Sequence, residues 1–268
     1  MLQVRHVFQE HKQEINLFYS FLEDIIKHDG RLFIDPPTNT IKVIKIDTTS
    51  ILKSSFFLML YNCVESTIVN CLNTIIREIR VNQCKYSDLS EAMQLVSLAA
   101  YDYNIQQAEN KEKRVECLKK QIDFSTGLSV FNVDVKALTG SSSQGTFSGS
   151  LDSREIRKLF GRIGLDLTDL TCVEMVKVRD CRNKLAHGEK SFQECCRDFT
   201  IQYIEASKNN TLTYLENLID KVDIYIQTKS YKKPVRRGCV DKCIFRFFSK
   251  IYKRFCSLFS LKNETRCI

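Results

Sequence analysis

Within two helical turns the chain places a guanidinium, a carboxamide and an imidazole, those of Arg182, Asn183 and His187, and follows them at once with Gly188. These residue types suit the binding or cleavage of a phosphodiester. Arginine's planar fork matches two phosphate oxygens through parallel hydrogen bonds, which the point charge of lysine cannot do. Histidine exchanges a proton near neutral pH. On an ideal helix Asn183 and His187 share a face, whereas Arg182 lies about 140° round from His187, so only a long side chain converges from there. Asn183 would then orient the imidazole or hold a ribose or phosphate oxygen. Gly188 reads as a left-handed stop, and the negative end of the helix dipole favours the charged form of a histidine in the last turn. Basic residues before a glycine are also the ordinary way to end a helix, so spacing alone leaves both readings open.

The run Arg182-Asn183-Lys184-Leu185-Ala186-His187, an R-N-x-x-x-H pattern followed by Gly188-Glu189-Lys190-Ser191-Phe192, resembles the signature of the HEPN superfamily (higher eukaryotes and prokaryotes nucleotide-binding), in its MAE-type bacterial branch. Two further segments match in order: Phe56-Phe57-Leu58-Met59-Leu60-Tyr61-Asn62-Cys63-Val64-Glu65 and Leu151-Asp152-Ser153-Arg154-Glu155-Ile156-Arg157. The resemblance spans residues 5–228. It implies a mainly α fold, a HEPN-like helical bundle. It also implies, for members that keep both Arg and His, a metal-independent endoribonuclease without a cofactor. Arg182 and His187 would be the catalytic pair, with Asn183, Tyr61, Asn62 and Glu65 as auxiliary groups that orient RNA. Tyr61, Asn62 and Glu65 would project together, and Glu65 would stand near Arg182 and His187; a solvated carboxylate is the other reading of Glu65. Attack by the ribose 2′-hydroxyl would leave 2′,3′-cyclic phosphate and 5′-hydroxyl ends. One imidazole does not serve as base and acid at once, so a homodimer pairing two motif helices would supply the second group. The resemblance also implies a toxin or phage-defence effector restrained by an antitoxin or other regulatory protein. The alternative is a non-catalytic module that binds nucleotide or RNA, or a helical adaptor.

Composition agrees with one main helical domain. The 268 residues are 43% hydrophobic, and with no tryptophan, three prolines and nine glycines they leave long uninterrupted stretches for helices. Twelve scattered cysteines, the adjacent pair Cys195-Cys196 and the lack of a signal peptide lead us to expect reduced thiols, mostly small apolar fillers, in a cytoplasm. Cys239 and Cys243 have no second Cys or His pair at zinc-like spacing, so no metal site is expected. Charge is uneven: residues 229–268 hold twelve Lys or Arg against two acids, net +10, and the remaining 28 basic residues face 30 acids, net −2. The body therefore lacks a general nucleic-acid charge signature, and RNA recognition there must be local or created by assembly.

The elements that must position the motif follow from periodicity. A first helix over 9–27 stops at Asp29-Gly30, and 31–49 alternates enough to form a small β-hairpin decoration turning at 36–39. A long helix over 50–81 carries Phe56, Leu60, Val64, Ile68, Leu72, Ile75 and Ile79 on one stripe. Its polar interruptions Asn62, Glu65, Asn70, Asn73 and Arg77 argue against a transmembrane span. A third helix over 88–121 enters through the box Asp88 to Glu91, with a polar stretch at 106–113 where it can break. Residues 123–151 form an irregular connector with alternating Phe131, Val133 and Val135, then Gly140-Ser141-Ser142-Ser143-Gln144-Gly145, which lacks the Gly-Lys-Ser/Thr of a P-loop. A short helix capped at 152–155 turns Ile156, Leu159, Phe160 and Ile163 inward. The motif helix runs over 168–187, and the box Ser191 to Glu194 opens a last helix reaching Thr228, closing a domain over 1–228.

In the tail, 229–268, Ile244, Phe247, Phe248, Ile251, Phe255 and Leu258 recur at helical spacing with Lys242, Arg246, Lys250, Lys253 and Arg254 on the other side. This is a basic amphipathic helix suited to an anionic membrane surface, to RNA or to a partner, and its charges forbid crossing a bilayer. It would make the protein cytoplasmic with peripheral contact at the inner membrane surface. Its aromatic face covering the body, or disorder until bound, are the other readings. The closing Arg266-Cys267-Ile268 is no prenylation signal.

Overall fold

The structure, a computed structural model, describes residues 1–28, 30–35, 40–135 and 151–234. Its centre is α2 (Ile46–Val81), whose expected stripe is the core: Phe56, Leu60, Val64, Ile68, Leu72, Ile75 and Ile79 are all at most 2% exposed. Burying side chains of this size contributes roughly 1.5–3 kcal/mol each before the entropy of ordering them is set against it. By length and composition α2 could cross a bilayer. Its apolar side chains instead pack against α1 (Leu2–Lys27), α6 (Glu174–Ala186), α7 (Phe192–Cys195) and α8 (Ile201–Gln227). Among the described residues the architecture is a mainly α bundle with one two-stranded sheet.

The first helix starts at Leu2, earlier than the expected residue 9, because Val4 and Phe8 continue the buried stripe and Arg5 pairs with Asp220 at 2.8 Å and Asp223 at 2.9 Å on α8. The hairpin is present as antiparallel β1 (Arg31–Asp35) and β2 (Thr40–Val43), with Arg31 opposite Val43 and an irregularity between Phe33 and Asp35. Its expected turn at 36–39 lies outside the described residues. The hairpin ends sooner than expected, since α2 already begins at Ile46.

The helix expected over 88–121 is two helices. A 3₁₀ turn at Tyr86–Asp88 precedes α3 (Glu91–Gln106), and α4 (Lys111–Ser125) follows a break. Ser90, not Asp88, caps α3 by accepting from the Met93 amide, while Asp88 accepts from the Lys85 amide in its own box. Asn110 caps α4 by accepting from the Lys113 amide at 2.8 Å. That side-chain acceptor stabilises a new helix start inside the polar stretch. Phe124 anchors α4 among the rings of Tyr86, Tyr101 and Phe131. Phe131, Val133 and Val135 are buried as the alternation implied, and the segment is tied to the end of α2 by Phe131 N–H donating to Cys84 O and Arg80 donating to Val133 O.

α5 (Ser153–Arg162) is capped by Asp152, and Ile156, Phe160 and Ile163 point inward. The motif helix α6 begins at Glu174 rather than near 168. Asp166 accepts from the Thr168 amide, Arg157 donates to Leu170 O at 3.0 Å, and Ser153 donates to Cys172 O at 3.0 Å. Carbonyls engaged in this way are held away from a helix ladder. The box at Ser191 and Glu194 exists, but it opens only the single turn α7, and α8 restarts with Thr200 accepting from the Tyr203 amide. The last helix ends at Gln227, yet the body continues. Tyr231 is 1% exposed, its carbonyl accepts from the Ser90 amide, and Lys233 N–H donates to Asp88 O. The unit that holds the bundle is thus Met1–Lys233, so a boundary at 228 would sever a core residue. The tail residues Lys242, Arg246, Lys250, Lys253 and Arg254 lie outside the described residues.

Candidate functional site

α6 turns Met175, Val178 and Cys181 into the core, each at most 2% exposed, so Arg179 and Arg182 emerge beside the buried stripe rather than opposite it. Arg182 is half-buried. Its guanidinium carbon stands 5.2 Å from the centroid of the Tyr61 ring on α2, and its Nη1 donates to Asn183 Oδ1 at 3.1 Å. Among the described residues no carboxylate lies within ion-pair distance of it. A guanidinium over an aromatic face is attracted by the ring quadrupole while its outer N–H groups stay free to donate.

Tyr61 is fully buried, which places its ring under Arg182 and keeps its hydroxyl from the surface. Among the described residues that hydroxyl makes no hydrogen bond of normal geometry, although the Leu151 amide lies close enough to act on it. Burial pushes the phenol up, the Glu65 charge pushes it further, and the Leu151 amide, Arg182 and Arg179 draw it back. Glu65, half-buried one turn along α2, therefore faces the same cluster. Its carboxylate is not at ion-pair distance from Arg182 or His187 among the described contacts. Asn62 is exposed, about 100° round the helix from Tyr61, and does not project with Tyr61 and Glu65 as expected.

His187 is exposed and caps α6. Its amide donates to Asn183 O at 2.9 Å; Gly188, at φ +68°, donates to Leu185 O, and Glu189 N–H donates to Lys184 O at 2.9 Å. This is the Schellman arrangement, and the expected left-handed stop is where it should be. The loop is braced on its far side as well, because Glu194 accepts from both the amide and the hydroxyl of Ser191. Asn183 holds the Arg182 guanidinium rather than the imidazole. The arrangement thus gives an unpaired, platform-mounted guanidinium and, later on the same helix, a solvent-facing imidazole held at main-chain level.

Three features escaped sequence reasoning. Asp152, noted only as a cap, is wholly buried; Oδ1 accepts from the amides of Arg154 and Glu155 at 2.9 and 3.0 Å, and Oδ2 pairs with Arg179 of the motif helix. Arg179 also pairs with Asp180 at 2.8 Å. Lys53 and Ser54 of α2 donate to the carbonyls of Phe199 and Phe192 at 2.6 and 2.7 Å, which fixes the turn after the motif against the central helix. Finally, Cys181, Cys195 and Cys196 meet in the interior. The adjacent pair Cys195-Cys196 was the only available sign of this, and no spacing rule ties it to Cys181.

The comparisons with known proteins come to one family. The family model described as MAE_28990-like HEPN matches residues 4–231, nearly the whole described body and all of its motif helix. No curated protein and no solved structure matches the chain significantly.

Proposed function

The chain belongs to the MAE_28990-like HEPN family, and from that premise we propose that it is an endoribonuclease that needs no metal for its chemistry. The observation that carries the reading is the unpaired Arg182 guanidinium on the Tyr61 ring, preceding exposed His187 on the same helix. Arg182 would hold two non-bridging oxygens of the scissile phosphate and stabilise the charge that builds as the ribose 2′-oxygen attacks phosphorus. His187 would move the proton, an effect on the order of 10²–10⁴-fold. The second proton-transfer group comes from a second copy of the chain. Tyr61, being buried, orients Arg182 without touching RNA, and Asn183 restrains the same guanidinium. Glu65 adds negative charge beside them. The biological setting we propose is that of a toxin or phage-defence effector held in check by a partner protein, with the basic tail making peripheral contact with an anionic surface.

The test is incubation of the purified protein with total RNA in EDTA, followed by end-group analysis. Fragments with 2′,3′-cyclic phosphate and 5′-hydroxyl ends are expected, and Arg182→Ala and His187→Ala should abolish them while leaving the folded state intact. RNA that is bound but left whole would replace the enzyme reading with that of a binding module. Cleavage undiminished in both variants would remove these residues from the site.

A further inference from the structure

Independently of any action on RNA, we propose that Cys181, Cys195 and Cys196 form a site for one thiophilic cation of the copper(I) kind, held by three thiolates. Their sulfurs all lie within 4.8 Å of one another, and those of Cys181 and Cys196 are 3.7 Å apart. Three thiolates in a plane around a cation at about 2.3 Å sit about 4 Å from each other, so the triangle needs little adjustment to close on an ion. The donors come from two elements: Cys181 from the motif helix α6, Cys195 and Cys196 from the end of α7.

The donor set chooses the ion. Among the described residues only sulfur is offered, which selects soft cations over hard ones. The three residues are 2%, 9% and 0% exposed, which leaves little room for water to complete a tetrahedron. Structural zinc almost always takes four ligands, whereas copper(I) is satisfied by three. Binding is a ligand exchange without redox change: Cu⁺ replaces three thiol protons, which leave to solvent, and a complex of charge −2 remains. Three ammonium groups are placed to offset that charge. Lys177 acts on Cys181, Lys190 acts on Cys195, and Lys53 and Cys196 act on each other. Lys53 is held there by its bonds to Arg197 O and Phe199 O. The alternative use of the cluster, as reactive thiols, is disfavoured because burial pushes Cys195 up to about 11, while the hydrogen bond with Cys196, and then burial, raises Cys181. A bound cation would tie the last turns of the motif helix to the segment after it and so clamp the loop that carries His187.

The experiment uses the full chain with Cys239→Ser, Cys243→Ser, Cys256→Ser and Cys267→Ser, to silence thiols outside the body. It is produced in copper-supplemented cells and purified under reducing, oxygen-free conditions. Copper per chain is counted by mass spectrometry, and retention is measured against a chromophoric copper(I) chelator. One copper per chain is expected, with retention about 100-fold weaker or worse when Cys181→Ser or Cys196→Ser is added. Loading should raise Tm in the parent and not in these variants. Far-UV circular dichroism checks their folding, and Cys195→Ser, at the edge of the cluster, serves if the two buried changes unfold the protein. Absence of copper from the parent, retention in the cysteine variants equal to that of the parent, or tighter retention of zinc than of copper(I) would each overturn the proposal.

Discussion

Replacing Asp152 tests how the motif helix is held, and the structure lets the effect be divided in advance. Asp152→Ala removes a cap that satisfies two amides at the start of α5 and a buried partner of Arg179. Loss of an N-cap costs about 1 kcal/mol. Stripping one partner from a fully buried ion pair costs about 3–5 kcal/mol. Here the Arg179 side chain keeps 21% exposure and its second carboxylate, Asp180, so we take about 2 kcal/mol for this part, below that range. The total is about 3 kcal/mol, equivalent to a Tm lower by about 10 °C at this chain size. Asp152→Asn separates the parts, because asparagine caps as well as aspartate but carries no charge. It should cost about 2 kcal/mol, leaving about 1 kcal/mol between the two variants. Urea unfolding followed by circular dichroism measures both, provided the m-values agree. If Asp152→Ala shifts stability by less than about 1 kcal/mol, the buried pair does not hold α6 as described. Equal losses in the two variants would remove the cap from the account.

Four other substitutions, at three positions, test neighbouring claims by thermal unfolding. Tyr61→Phe removes a buried hydroxyl without a hydrogen bond of normal geometry and keeps the ring beneath Arg182, so stability should change by less than about 1 kcal/mol, whereas Tyr61→Ala should cost about 3–5 kcal/mol. Gly188→Ala meets no atom within 4 Å, so its cost should be that of a left-handed backbone alone, about 1–2 kcal/mol. Tyr231→Ala should cost about 3–5 kcal/mol if the body extends past residue 228, and nothing measurable if that residue belongs to the tail.

What could be read from the sequence was whatever depends on near neighbours along the chain. The α2 stripe, the Gly188 stop, the Asp152 cap and the Ser191–Glu194 box all rest on residues within a few positions of one another, and all are in place. Two of the errors share one physical cause. The motif helix starts late because Ser153 and Arg157 take carbonyls of the segment before it, and the last helix is interrupted because Lys53 and Ser54, far away on α2, take carbonyls of Arg197, Phe199 and Phe192. A donor distant in sequence leaves no local trace. The candidate site divides in the same way: Arg182, Asn183 and His187 stand out as a spaced motif, and Tyr61 and Glu65 were named only through the family resemblance. Arg179 with Asp152, and the three thiols, required the folded chain.

The anchoring of His187 bears on how such a protein can diversify. The main chain that carries the ring is set by peptide hydrogen bonds from His187, Gly188 and Glu189 to Asn183, Leu185 and Lys184, while the side chains of Ala186, Glu189 and Lys190 around it are exposed. Nearby substitutions can therefore redecorate the rim without displacing the imidazole. On the proposed reading of His187 as the proton-transfer group, preference among RNA targets is free to drift across generations while the main chain that carries the imidazole stays where it is.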